Sequence, residues 1–223
     1  MHIEPGLIAP AKMALAYATA AGASAYTAKL AWDAVKTRGP VSLVARSAAT
    51  TALVFSFFEI LPTFPVGVSE VHFILGSTLL LIFGAAPAAI GLVLGLLLQA
   101  MFFAPSDMPQ YFANITTLLV PLFAIRALAE RIIAPSTPYV DLKYRQALAL
   151  STTYQGGIVI WVAFWALYGQ GFGADNMASI VTFGAAYMLV ILLEPLIDLA
   201  VLAGAKSLRG LEKSGLVTAR LFA

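Results

Sequence analysis

The chain has 223 residues, of which 61% are hydrophobic and only 11% are charged, and its formal net charge is +2. Soluble domains carry about 25% charged residues, so this composition indicates an all-α polytopic protein in a lipid bilayer. The apolar residues run continuously instead of alternating, which excludes a membrane β-barrel. The small net charge argues against a nucleic-acid partner. The absence of cysteine excludes disulfides, thiolate metal sites and thiol nucleophiles.

The hydrophobic segments predict about seven transmembrane helices in a single domain over residues 1–223. They are expected at about 11–35, 41–61, 72–84, 87–105, 111–133, 147–168 and 176–204. The third segment is too short to cross comfortably, because crossing takes ~20 residues. It is either a tilted or re-entrant piece, or a helix that extends into the preceding loop. In the first segment Ala14, Ala18 and Gly22 lie four residues apart, a spacing that lets another helix approach closely.

Lysine and arginine predict the orientation of this bundle. They fall in three clusters, at 29–46, 126–145 and 206–220, and Lys12 is the one basic residue outside them. Cytoplasmic loops carry the excess of basic residues, so we expect the N-terminus outside and the C-terminus, with a basic tail at 205–223, in the cytoplasm. The loops that then face outside are Pro62–Glu70, Ser106–Gln110 and Gly169–Asp175.

The first two residues form a candidate chelating unit. No basic leader precedes the first span, so we expect no cleaved signal peptide and a retained Met1. The Met1 amine, the His2 amide nitrogen and one His2 ring nitrogen can close adjoining chelate rings in a plane. Flat nitrogen coordination favours Ni(II) or Cu(II), since Zn(II) prefers a tetrahedron. The other histidine of the chain, His72, directly follows the outer loop Pro62–Glu70.

Both histidines also have simpler interpretations than a metal site. A histidine at position two is commonly part of a frayed terminus, and His72 can be an ordinary interfacial residue. Glu70 either orients the His72 ring as a neighbouring carboxylate or is a solvated loop charge. Gln99 and Asn114 either cap and pack helices or hydrogen-bond the His2 segment.

Two acidic residues in the last span leave their role open. Glu194 and Asp198 lie on one face, before and after Pro195. A proton relay is one interpretation, and pairing with Arg46 or Arg126 is the simpler one, because ionisable groups within a membrane tend to pair.

Several stretches together resemble the CbiM/NikM family of cobalt- and nickel-specific, substrate-binding membrane subunits of energy-coupling-factor ABC transporters. They are Met1-His2-Ile3 with Gly6, the His72 loop, and the run from Phe83-Gly84 through Gly91, Gln99-Ala100 and Asn114 to Pro121. The resemblance implies that the metal is held in a square plane by the Met1 amine, the amide and ring nitrogens of His2, and His72. The sequence departs from the family at the His72 loop, which reads Glu-Val-His-Phe-Ile-Leu-Gly instead of Ser-Ser-His-Pro-Thr-Gly.

The expected function is capture of Ni(II) or Co(II) at the outer face for ATP-driven uptake. The resemblance implies a T-component scaffold and A-component ATPases as partners, in the plasma membrane of a prokaryote. We expect the chain itself to be no enzyme and to need no cofactor beyond the transported ion. Residues 1–10 are then the metal-binding segment. The alternative is a non-transporting structural subunit of a membrane complex that retains the fold.

Overall fold

The computed structural model describes residues 3–211, with side chains as far as Leu208. Over this range the chain forms seven α-helices: α1 (Met13–Arg38), α2 (Pro40–Glu59), α3 (Gly76–Phe83), α4 (Ala85–Phe102), α5 (Tyr111–Ile132), α6 (Tyr144–Gln170) and α7 (Ala174–Leu211). Short 3-10 turns cover Pro10–Lys12, Pro105–Gln110 and Tyr139–Asp141. Five helices are long and apolar enough to cross a membrane, namely α2, α4, α5, α6 and α7. The predicted all-α polytopic fold is confirmed.

The third predicted segment is a short helix preceded by non-helical chain. At eight residues, α3 is only about 12 Å long. A strand over Ser69–Val71 and an irregular stretch over residues 72–75 lead into it. At its other end Gly84, with φ of +91°, turns the chain into α4. The helix therefore does not continue into the preceding loop.

A small β-hairpin covers most of the predicted outer loop Pro62–Glu70. Strand β1 (Phe64–Val66) pairs antiparallel with β2 (Ser69–Val71). The hairpin turn contains Gly67 at φ +62°, and a Cβ added there would lie 2.2 Å from the carbonyl oxygen of Ser179 in α7. Only glycine fits this turn, because its backbone lies directly against α7.

Close packing of α2 on α4 depends on two glycines of α4. A Cβ at Gly91 would lie 2.4 Å from Thr50 Oγ1, and one at Gly95 would lie 2.6 Å from Val54 Cγ1. Small residues at i and i+4 let two helices approach in this way. Thr50 also donates a hydrogen bond of 2.6 Å to the carbonyl of Pro87, which fixes the two helices against each other.

The N-terminal segment lies across one end of the bundle and is tied to the C-terminal end of α6. Gln170 donates to the carbonyl of Leu7 at 2.8 Å. The Lys12 ammonium donates to the carbonyls of Tyr168 and Gly169, at 2.8 and 3.0 Å. These carbonyls belong to the last turn of α6, where the helix dipole favours a positive charge. The carbonyls at the C-terminal end of α6 thus stabilise the charge of Lys12, which lies outside the three basic clusters.

The last helix extends farther than predicted. It continues beyond residue 204 to Leu211, and Lys206 donates a hydrogen bond of 2.7 Å to the carbonyl of Leu142 in the α5–α6 connection. Residues 212–223, most of the predicted cytoplasmic tail, lie outside the described part of the chain. The side of the membrane on which this end lies stays a prediction from the basic clusters.

Candidate metal site

Two of the three predicted ligands, Met1 and His2, lie outside the described residues. The structure does place their covalent neighbour. Ile3 is fully buried, and its backbone N–H donates a hydrogen bond of 2.9 Å to Asn114 Oδ1 in α5. Since consecutive Cα atoms are about 3.8 Å apart, the position of Ile3 restricts where His2 can be.

The backbone of the N-terminal segment also pairs with the hairpin. Ile3 forms an antiparallel bridge with Ser69, and the N–H of Glu4 donates to the carbonyl of Val68 at 3.2 Å. Ser69 is the first residue of β2, and His72 directly follows that strand. The same short strand therefore pairs with the neighbour of His2 and carries the second histidine.

His72 is buried, with a relative exposure of 1%. Its ring packs against the ring of Phe58 at the end of α2, with ring centroids 5.2 Å apart. Its Nε2 atom lies 3.6 Å from Oε2 of Glu70, whose side chain is 28% exposed. This distance is longer than a hydrogen bond, but the carboxylate and the ring are close enough to interact electrostatically. Of the two interpretations of Glu70, the contact favours the one in which it influences His72.

Two other carboxylates lie close enough to Glu4 of the N-terminal segment to affect its charge. Burial raises the pKa of Glu4, and repulsion from Glu70 and Asp107 raises it further. The Asp107 side chain is buried in the turn before α5. The predicted outer loops Pro62–Glu70 and Ser106–Gln110 thus meet at one end of the bundle with the N-terminal segment. Negative charge there attracts cations.

The two polar candidates near this end have different partners. Asn114 hydrogen-bonds the segment that carries His2, as one of the two interpretations proposed. Gln99 donates to the carbonyl of Phe58 at 3.4 Å. It therefore joins α4 to the end of α2, next to the Phe58 ring that packs against His72.

Replacing Asn114 with alanine is expected to weaken metal binding about tenfold or more. The Ile3 N–H loses its acceptor in a buried place, which costs about 1–3 kcal/mol, and each 1.4 kcal/mol is a factor of ten in affinity. Thr117→Val is the matched control. Thr117 is also buried in α5, but its hydroxyl donates only to the carbonyl of Ala113 within the same helix. Equal affinities of the two variants by metal titration would show that the Ile3 contact does not hold the site.

The prediction that Glu194 and Asp198 pair with Arg46 or Arg126 is wrong. Glu194 accepts hydrogen bonds from the backbone of the segment that follows His72, and Asp198 accepts from two hydroxyls at the start of α3. Arg46 instead donates to the carbonyl of Phe83 at 2.6 Å. Arg126 pairs with Glu130 at 2.8 Å. Both arginines therefore bond groups outside α7.

Sequence reasoning missed the partners of Glu194, two of which are the backbone N–H groups of Ile74 and Leu75. An acidic residue in an apolar span, with no basic residue between Arg145 and Lys206, was the available signal.

Within residues 3–211 no three His, Asp or Glu side chains come together to hold a metal ion.

Comparisons with known proteins identify the family and the fold of the chain. The family described as "CbiM: Cobalt uptake substrate-specific transmembrane region" matches residues 2–210. One similar solved structure is described as a transition metal transporter, with a TM-score of 0.69 and 18% identity over 93% of each chain. A second, described as a truncated transition metal transporter, has a TM-score of 0.68 and 18% identity over 91% of this chain and 97% of that one. No curated protein sequence matches.

The two solved structures share the fold of this chain at low sequence identity. The family match covers all seven helices and includes His2, Ile3, His72 and Asn114. The chain therefore belongs to the CbiM family of cobalt uptake substrate-specific transmembrane regions, and it is a multi-pass membrane protein of transition-metal uptake.

Proposed function

We propose that this protein captures Ni(II) or Co(II) at the outer face of the membrane for ATP-driven uptake by an energy-coupling-factor ABC transporter. The observation that carries the proposal is the position of Ile3. Its backbone is held by Asn114 and by Ser69, so the residue next to His2 lies beside the strand that leads to His72. The proposal rests on this pairing and on the family of the chain.

The proposed ligands are the Met1 amine, the amide and one ring nitrogen of His2, and a ring nitrogen of His72. Four nitrogen donors in a plane suit Ni(II), and they leave Zn(II) without the tetrahedron it prefers. Copper binds such donors more tightly than nickel or cobalt on the usual affinity order. Delivery and the shape of the enclosed site must therefore do part of the selecting.

The chain has no nucleotide-binding motif in its sequence, so we propose that partner subunits hydrolyse ATP. These are a pair of A-component ATPases and a T-component scaffold in the plasma membrane of a prokaryote. The face of α1 that carries Ala14, Ala18 and Gly22 points away from the bundle, since all three residues are exposed. A face of small residues supports close packing of a partner helix.

Metal affinity is expected to fall as the pH is lowered from about 8 to 6. The ligand nitrogens must lose protons before they bind, and their reference pKa values are about 7.7–8.0 for the amine and 6.5 for imidazole. Glu4 acts in the same direction. Because its pKa is raised, it loses its negative charge at a higher pH than an ordinary glutamate. Titration with Ni(II) at several pH values measures the fall.

Glu4→Gln tests the part that the Glu4 carboxylate plays in attracting the cation. The variant should bind metal more weakly near neutral pH, while the fall due to the nitrogens remains. Affinity that stays flat over the whole range in the unmodified protein would contradict a site built from nitrogen donors.

Uptake tests the proposed transport. Cells that lack other nickel and cobalt importers should accumulate radioactive Ni(II) or Co(II) when they express this chain with the T-component and both ATPases. Replacing the phosphate-binding lysine of the ATPases should abolish accumulation, because the phosphates of ATP are then poorly held. Equal accumulation with the inactive ATPases would contradict ATP-driven uptake by this complex.

A further inference from the structure

Glu194 is a completely buried acid in α7 that has no part in the proposed ligand set. Its Oε2 atom accepts the backbone N–H of Ile74 at 2.7 Å, and its Oε1 atom accepts the backbone N–H of Leu75 at 2.8 Å. These amides lie two and three residues after His72. One side chain of a distant helix thus holds the backbone directly beyond the predicted metal ligand.

The segment held by Glu194 has an unusual conformation. Leu75 has φ of +54° and ψ of +34°, in the left-handed region. A residue other than glycine adopts this conformation only when its surroundings enforce it. Leu75 is buried, and its N–H is bonded to the carboxylate. The hydrogen bonds from Ile74 and Leu75 therefore help to keep the backbone after His72 in one strained path.

Further contacts fix the carboxylate itself. The side-chain amide of Gln155 in α6 donates to Glu194 Oε1, and the hydroxyl of Tyr187 donates to Gln155 Oε1 at 2.8 Å. Gln155 and Tyr187 are both fully buried. Glu194 also lies at the N-terminus of α3, where the helix dipole favours a negative charge. The carboxylate is therefore ordered from three sides by N–H donors.

One turn farther along α7, Asp198 provides a natural comparison. It accepts hydrogen bonds from the hydroxyls of Ser77 and Thr78, both at 2.5 Å. A hydroxyl can turn and accept a hydrogen bond, whereas a backbone N–H can only donate. An amide at position 198 can therefore satisfy its partners, but an amide at position 194 must place one N–H against another.

We propose that Glu194 is a positioning residue for His72: by holding the amides of Ile74 and Leu75, it fixes the backbone that carries the histidine toward the metal. The inference rests on the proposed function, since it needs His72 to bind metal. It adds a part played by α7, which supplies no ligand of its own. If Glu194 only stabilised the fold, the experiment below would give a different result.

The test compares Glu194→Gln with Asp198→Asn in the full-length protein with its native N-terminus. Glu194→Gln should weaken Ni(II) affinity by ~10–100-fold, as residues that orient a metal ligand do. It should also shift the absorption spectrum of the bound Ni(II) in the direction of His72→Ala. Asp198→Asn should leave both the affinity and the spectrum close to those of the unmodified protein. Affinity is measured by titration, and thermal unfolding of the metal-free proteins is measured in parallel.

The double variant His72→Ala/Glu194→Gln gives a readout that a purely structural role does not produce. If Glu194 acts through His72, the second change adds little to the loss already caused by the first, and the two losses are not additive. Additive losses, or a Glu194→Gln protein with unchanged affinity and spectrum, would overturn the proposal. An unmodified protein that binds no Ni(II) or Co(II) would instead refute the proposed function.

Glu194→Asp covers the case in which the glutamine variant does not fold. The shorter side chain keeps the negative charge at the α3 N-terminus, but it cannot reach both amides in the same way. It should weaken affinity less than Glu194→Gln and shift the spectrum in the same direction. A stable Glu194→Asp protein with the affinity and spectrum of the unmodified chain would contradict positioning by this side chain.

Discussion

Inserting two glutamines between Met1 and His2 is expected to abolish high-affinity binding of Ni(II) and Co(II). The structure holds Ile3 through Asn114 and Ser69, so His2 should stay near its place while the amine moves away by two residues. The amine is then too far along the chain to close adjoining chelate rings with the ring nitrogen of His2. Metal titration of the purified variant measures the effect, and its circular dichroism should remain that of a helical protein.

Inserting alanine at the same point is a matched control. The initiating methionine is commonly removed when a residue as small as alanine follows it, and it is retained before glutamine. The trimmed alanine variant then presents a free amine directly before His2, and it should bind metal almost as the unmodified protein does. Mass spectrometry identifies the first residue of each protein. Undiminished affinity in the folded glutamine variant would remove the terminal amine from the site.

Replacing His72 with alanine should weaken binding more than the ~10–100-fold that is typical of residues acting through a ligand. The three nitrogens of Met1 and His2 remain, so binding should not vanish. Water is expected to take the fourth position, and its oxygen gives a weaker field than imidazole. The absorption spectrum of bound Ni(II) should therefore shift. His72→Gln should restore neither the affinity nor the spectrum, because an amide oxygen is a poorer match for these ions than a ring nitrogen.

Glu70→Gln is the control for this prediction. The carboxylate lies 3.6 Å from Nε2 of His72 and is half-buried, so its loss should weaken binding by ~10–100-fold at most. The ligand assignment would be wrong if Glu70→Gln abolished binding while His72→Ala had no effect. That result would indicate a carboxylate site.

Much of the helical bundle could be predicted because hydrophobicity and charge act locally along the chain. Continuous apolar runs predicted the positions of α2 and α4–α7. The distribution of lysine and arginine placed His72 and the N-terminus at the same end of the bundle. The structure brings their neighbours together there.

The contacts that complete the site could not be predicted, because they join residues far apart in sequence through backbone atoms. Three-residue strands around Pro65 are too short to show a period of two. The sequence therefore predicts a loop where the β1–β2 hairpin lies. Glu194 finds its partners 119 and 120 residues away, at Leu75 and Ile74. Charge pairing suggested arginine instead, since backbone donors carry no signal in the sequence.

Elemental analysis of the purified, full-length protein tests the central claim most directly. After exposure to Ni(II) and Co(II) near pH 8 and removal of loosely bound ions, the protein with its native N-terminus should retain one Ni or Co per chain. The chain with two glutamines inserted before His2 should retain none. A folded native protein that emerges free of both metals would contradict capture of a transition metal, and it would favour a structural subunit that has kept the fold.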